Sequence, residues 1–146
     1  MRVKTRELSD ATLDWVVATI EGMTNLRLSE NTGKPIVDVP EWGAMSLADL
    51  AFSSNWELAG QIISRENIDI RRNWPELDRT GTLQGRSWFS ERLNPDYVIH
   101  FGSTPLIAAM RCFVATKLGN EVEVPEAILE LLSKYQIIDV PAEGNI

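Results

Sequence analysis

Two short runs of hydroxyl and amide side chains stand directly before apolar helical stretches: Ser53-Ser54-Asn55 ahead of Trp56, and Ser103-Thr104 ahead of Pro105. Side chains of these types accept hydrogen bonds from the first free N–H groups of a helix. The same N–H groups, at the positive end of the helix dipole, attract anions. Arg65, Arg71, Arg72, Arg86 and Arg111 can bring charge to such a place, and Trp56 and Trp88 can stack on a planar ring. Aromatic, arginine and helix start together are what a nucleotide-like anion needs. Ordinary capping accounts for the same hydroxyls without a ligand. The ligand-binding set drawn from this pattern is Ser53, Ser54, Asn55, Trp56, Trp88, Thr104 and Arg111, and it depends on the two helix starts meeting at one end of the fold.

Other chemistries find less support. His100 is the only histidine, so a Ser–His–Asp or Cys–His centre has to pass through it. It sits in an alternating stretch between Ile99 and Phe101, as an outward-facing or hydrogen-bonded strand residue. Cys112 is the only cysteine and lies within a helical pattern beside Met110 and Phe113, where a small buried hydrophobe is expected rather than a nucleophile. No His, Cys or acidic residues stand at metal-ligand spacing with a third within reach. The expectation is therefore a non-enzyme with no catalytic residue, no metal and no cofactor. Of the five tryptophans, Trp15 and Trp56 fall on or near apolar helical faces, where core packing is the default. Trp42, Trp74 and Trp88 stand in loops or at a strand edge, where they serve either a binding surface or the plugging of a sheet end.

The elements that must position these residues are legible in the hydrophobic spacing. Leu13, Val16, Val17 and Ile20 form a helical stripe capped by Ser9 and ended by Gly22. A hairpin is expected around Asn31-Thr32-Gly33, between Leu26-Arg27-Leu28 and Ile36–Val39. Residues 46–50 suit a short helical turn. A second helix follows Asn55, with Trp56, Ala59, Gly60 and Ile63 on one face, and Gly60 there suggests a close backbone approach. Ile68–Ile70 alternates as a strand, 73–85 reads as a long loop, and 86–90 and 96–101 read as strands. The strongest helix runs from Thr104 to Leu118, with Pro105 at its first position and Gly119 past its end. A last short helix starts near Pro125. Helices and short strands mix without the regular alternation of parallel folds. The expected class is α+β: an α/β sandwich with a small, mainly antiparallel sheet packed by three to four helices.

The chain has 146 residues, suited to one domain over 1–140 with a frayed tail at 141–146. A net charge of −7 argues against a general nucleic-acid binder. No apolar run has membrane-spanning length and no signal-peptide core follows the basic start, so a cytoplasmic location without membrane association is expected.

Three blocks of the chain, in order and spacing, resemble the NinX-type proteins of lambdoid phages and prophages. They are Val3-Lys4-Thr5 through Leu13-Asp14-Trp15-Val16-Val17-Ala18; Phe52-Ser53-Ser54-Asn55-Trp56 with Ile62–Ile68; and Thr104-Pro105-Leu106 through Ala115, running on to Leu118–Pro125. Two departures stand out. The family usually carries Asp where this chain has Asn55, and Gly-Gly-Pro where it has Ala59-Gly60-Gln61, so a ligand role resting on that carboxylate does not carry over directly. The resemblance implies a phage accessory protein of α/β sandwich type in the host cytoplasm and no known reaction. Capture of a small nucleotide-like anion, as in countering host defence, is the first expectation. An adaptor or inhibitor of a host protein is the alternative, a hydrolase is the weaker one, and a homodimer is the expected assembly.

Overall fold

A computed structural model of the chain describes residues 1–73 and 86–134. The strand-rich elements are β1 (Arg2–Lys4), β2 (Thr24–Leu28), β3 (Pro35–Val39), β4 (Gly43–Ser46), β5 (Asp69–Arg72), β6 (Trp88–Arg92), β7 (Val98–Gly102) and β8 (Glu121–Glu123). Helices α1 (Asp10–Ile20), α2 (Trp56–Glu66) and α3 (Pro105–Leu118) are joined by a fourth, α4, over 126–134. Single turns of 3-10 helix occupy Thr5–Glu7 and Leu47–Leu50. The fold is α+β. Its strands divide among three antiparallel sheets, ordered β1-β8, β2-β3-β4 and β5-β6-β7.

α3 forms where its punctuation places it. Thr104 Oγ1 accepts the Ile107 N–H at 3.1 Å, Pro105 holds the first turn, and Gly119 leaves the helix with φ +90°. Leu106, Met110, Phe113 and Val114 are buried, and so are Ala108, Ala109, Cys112 and Ala115, so α3 is covered on more than one stripe. It lies directly on β6 and β7. The small residues let it come close. Ser90 of β6, fully buried, donates its hydroxyl to the Ala108 carbonyl. Gly102, where β7 turns into α3, leaves no room for a side chain: a Cβ there would stand 2.5 Å from the Ala108 backbone nitrogen. α1 packs on α3, and Leu13, Val17, Ile62, Met110, Phe113 and Leu132 share the core with Val37 of the second sheet.

Three local expectations need correction. Ser9 stands at the N-cap of α1, but its side chain makes no capping hydrogen bond. α2 buries Ala59, Ile62 and Glu66, whereas Trp56 is 57% exposed, so its inward face is rotated from the one through Trp56 and Gly60. Among the described residues no atom outside its own helix lies within 4 Å of the place a Gly60 Cβ would take, so no close approach there explains the glycine. Three strands, β1, β4 and β8, lay outside the sequence reading. β1 and β8 pair through Arg2↔Glu123, Val3↔Val122 and Lys4↔Glu121, a contact between distant segments. The loop read over 73–85 lies outside the described residues except at Asn73, as does the tail at 141–146. Trp74 also lies outside them.

The packing at the β7–α3 turn yields a direct test. Gly102→Ala should lower stability by about 1–3 kcal/mol, because the obstructing atom is backbone and cannot rotate away. Equilibrium urea unfolding of the variant measures this; an unchanged midpoint would contradict the close approach.

Candidate functional site

A cavity of about 620 Å³ opens along the outer edge of β7. Among the described residues, sheet order leaves β7 unpaired on that side. Arg111 of α3 shows which way its backbone points: the guanidinium donates to the Phe101 carbonyl at 2.8 Å and, from Nε, to the Leu8 carbonyl at 2.8 Å. In an antiparallel ladder alternate residues face the same edge, so Ile99 turns its N–H and C=O the same way as Phe101. One wall of the cleft is this edge, with Ile99, His100 and Phe101. The other is the 3-10 turn that carries Arg6 and Glu7.

That turn is held in place by bonds across most of the chain's length. Thr5 donates its N–H to the Asn120 carbonyl at 2.8 Å and its hydroxyl to the Gly119 carbonyl at 2.7 Å. Arg86 closes the cleft from the segment before β6, its guanidinium carbon 4.6 Å from the Phe101 ring centroid. Three arginines from distant parts of the chain therefore meet around one opening. Among the described residues none of the three lies within salt-bridge distance of a carboxylate. A smaller cleft of about 290 Å³ adjoins it, lined by Lys4, Arg6, His100, Asn120 and Glu121. His100 and Arg6 belong to both. His100 is buried, with Nε2 3.4 Å from the Asn120 amide oxygen, and burial pulls its imidazole below the ordinary value.

Of the residues expected to bind a ligand, only Arg111 lines this cleft. Asn55 caps α2, its Oδ1 accepting from the Glu57 N–H at 2.9 Å and the Leu58 N–H at 3.3 Å. Thr104 caps α3 in the same manner. Each helix start is thus capped by its own side chain. Trp88 lies opposite Gly102 in the sheet, at the end where α3 begins, with the Arg72 guanidinium carbon 5.4 Å from its ring centroid. Thr104 and Trp88 are thereby brought to one end of the sheet. Ser53, Ser54, Asn55 and Trp56 stand at the start of α2, which is tied to α1: Ser53 donates its N–H to Asp14 Oδ1 at 2.8 Å. Ser54 is exposed. Sequence reasoning missed Arg6, Ile99, His100 and Phe101 as members of one cleft. Its available signal was the alternation Arg2, Lys4, Arg6 at the start of an acidic chain.

Two buried groups outside the cleft have displaced acidities. The Cys112 thiol is pushed up to about 11 by burial, so it stays protonated; a thiol reagent should label the native protein far more slowly than the unfolded one. Burial raises the Asp14 carboxyl to about 6, partly offset by its bonds from Ser53. Asp14 binds its proton more tightly folded than unfolded, where the ordinary value is 3.8. Its contribution to stability therefore falls as pH rises from about 4 to 6, by an amount on the order of 3 kcal/mol, and stays low above that. His100, held below its ordinary value, acts with the opposite sign, so the wild type is best compared with Asp14→Asn, which keeps both His100 and an oxygen acceptor for Ser53. The stability of the wild type relative to the variant should decline between pH 4 and 7. Parallel curves from thermal melts across that range would contradict the buried, displaced carboxyl.

Among the described residues no helix is long and apolar enough to cross a membrane, and no group of His, Cys, Asp and Glu is placed to hold a metal ion. A family model described as Bacteriophage P22, NinX, matches residues 4–117. No curated protein matches the chain.

Proposed function

This chain belongs to the NinX family of phage proteins, and from that premise we propose that it is an accessory protein that works by binding a small nucleotide-like anion in the arginine cleft beside β7. The observation that carries the reading is the convergence of Arg6, Arg86 and Arg111 on one opening in a chain whose net charge is −7. An acidic protein has no general need to gather cations in a concave site, and guanidinium groups suit the paired oxygens of phosphates. The volume falls in the range of small-molecule sites. Phe101, under Arg86, and Ile99 supply apolar surface for a base or sugar face. The role in the host cytoplasm is sequestration, with counter-defence as the biological setting.

Binding rather than catalysis is supported by the neighbours of the possible nucleophiles. Among the described residues His100 meets Asn120 rather than a hydroxyl or thiol nucleophile, and Cys112 is buried and protonated. A second reading, an adaptor that contacts a host protein, draws on Trp42, 80% exposed between β3 and β4, and on the exposed Trp56.

Titration calorimetry with ADP-ribose tests the first reading. The wild type should bind, and Arg6→Gln or Arg86→Gln should each weaken binding about ten- to a hundredfold, the worth of one charge-assisted hydrogen bond. Ser54→Ala and Trp56→Ala, outside the cleft, should leave the affinity unchanged. No heat from the wild type, together with a polypeptide retained in native mass spectrometry of protein purified from host cells, would favour the adaptor instead.

A further inference from the structure

The position of His100 between the two adjoining clefts adds a second property to the site, and it rests on the larger cleft being an anion site. We propose that His100 is a binding residue that takes up a proton as the anion enters, so that the cleft holds anions more tightly as pH falls.

The geometry comes from both sides of the ring. His100 lies on the strand that forms the cleft wall, and it lines both the cleft of Arg86 and Arg111 and that of Lys4 and Glu121. Nε2 faces the Asn120 amide oxygen at 3.4 Å, so in the neutral ring that nitrogen carries the hydrogen. Nδ1 keeps its lone pair and has no partner among the described residues. A second proton would go there and give the ring another donor.

The charged groups that line the two clefts with the ring come from several elements. β1 offers Lys4, the 3-10 turn Arg6 and Glu7, α3 Arg111, and β8 Glu121. Arg86 stands across the larger cleft. Cations outnumber carboxylates, and in the empty cleft they oppose a further positive charge on the imidazole. The buried Cys112 thiol on the α3 side is neutral and does not offset them. A phosphate-bearing anion placed among the arginines reverses the balance: the field at the ring turns favourable to the imidazolium, which then donates from both nitrogens. Proton and anion are therefore taken up together, each strengthening the other by the same factor.

Because His100 is the only histidine, its imidazole resonances can be followed by NMR without assignment. ADP-ribose is a suitable probe, because the charge on its two phosphates stays constant between about pH 5.5 and 8.5. The titration midpoint of His100 should rise by about one unit on saturation with ADP-ribose, and the affinity should rise roughly tenfold from pH 8.5 to 5.5. In His100→Asn the affinity should lose this pH dependence. If that variant fails to fold, the wild-type resonance alone decides. Asp14 titrates near the same window but lines neither cleft. Binding of ADP-ribose with an unmoved His100 midpoint would overturn the proton coupling and leave the anion cleft standing. Failure of ADP-ribose to bind at any pH would overturn both.

Discussion

The close seating of α3 on β6 and β7 is the contact on which the rest of the molecule depends. It is possible because the facing residues are small. Gly102 presents no side chain to Ala108, and Ser90 places a hydroxyl where it meets the Ala108 carbonyl. With the helix this near, Met110 and Phe113 reach the shared core, and Arg111 reaches back to the carbonyl of Phe101 on the strand that leads into its own helix. An edge strand normally leaves its outward carbonyls to water or to another chain. Here a guanidinium from the packing helix takes one of them and, through Nε, also fixes the Leu8 carbonyl at the entrance to α1. One residue thus joins the third sheet, α3 and the approach to α1.

The cleft follows from that junction. The β1–β8 pair and the two bonds of Thr5 pin the N-terminal turn beside the turn that leaves α3, and so hold Arg6 across from the edge of β7. The paired surface of the protein behaves differently. At the far end of α3, Lys117, Arg65 and Arg92 all lie within 4 Å of the Glu66 carboxylate, and Arg65 also grips Glu21 with both terminal nitrogens. There the cations are spent on holding α2, α3 and β6 together. Around the cleft the arginines point at a cavity. The same residue type is tied to carboxylates in one place and lines a cavity in the other, and Arg111 serves twice, lining the cleft while holding the Phe101 and Leu8 carbonyls.

How far the sequence could be read depended on the range of the interaction. α3 was legible in full, because its cap, its proline, its apolar positions and its terminal glycine are all local signals. The cap of α2 at Asn55 was legible for the same reason, though the buried face was not: a helix with Trp56, Ile62 and Ile63 has two nearly equivalent stripes, and its neighbours choose between them. β1 and β8 went unread because three-residue strands have no periodicity to detect. They are strands only by virtue of each other.

By itself the sequence determined the α+β class, the principal helices with their ends, and the membership in a phage family carried by three blocks of residues. Those properties reside in neighbours a few positions apart, where spacing and dihedral preference are sufficient. The tertiary structure alone decided which charges meet. Arg6, Arg86, His100 and Arg111 come from the N-terminal turn, the approach to β6, β7 and α3, and nothing in their local sequence marks them as companions. The Asn55 amide, the Thr104 hydroxyl and the serines beside them looked like a ligand's partners because a cap and an anion ask for the same N–H groups. In the folded chain the Asn55 amide and the Thr104 hydroxyl meet that demand, and Arg6, Arg86 and Arg111 gather at the edge of β7 instead.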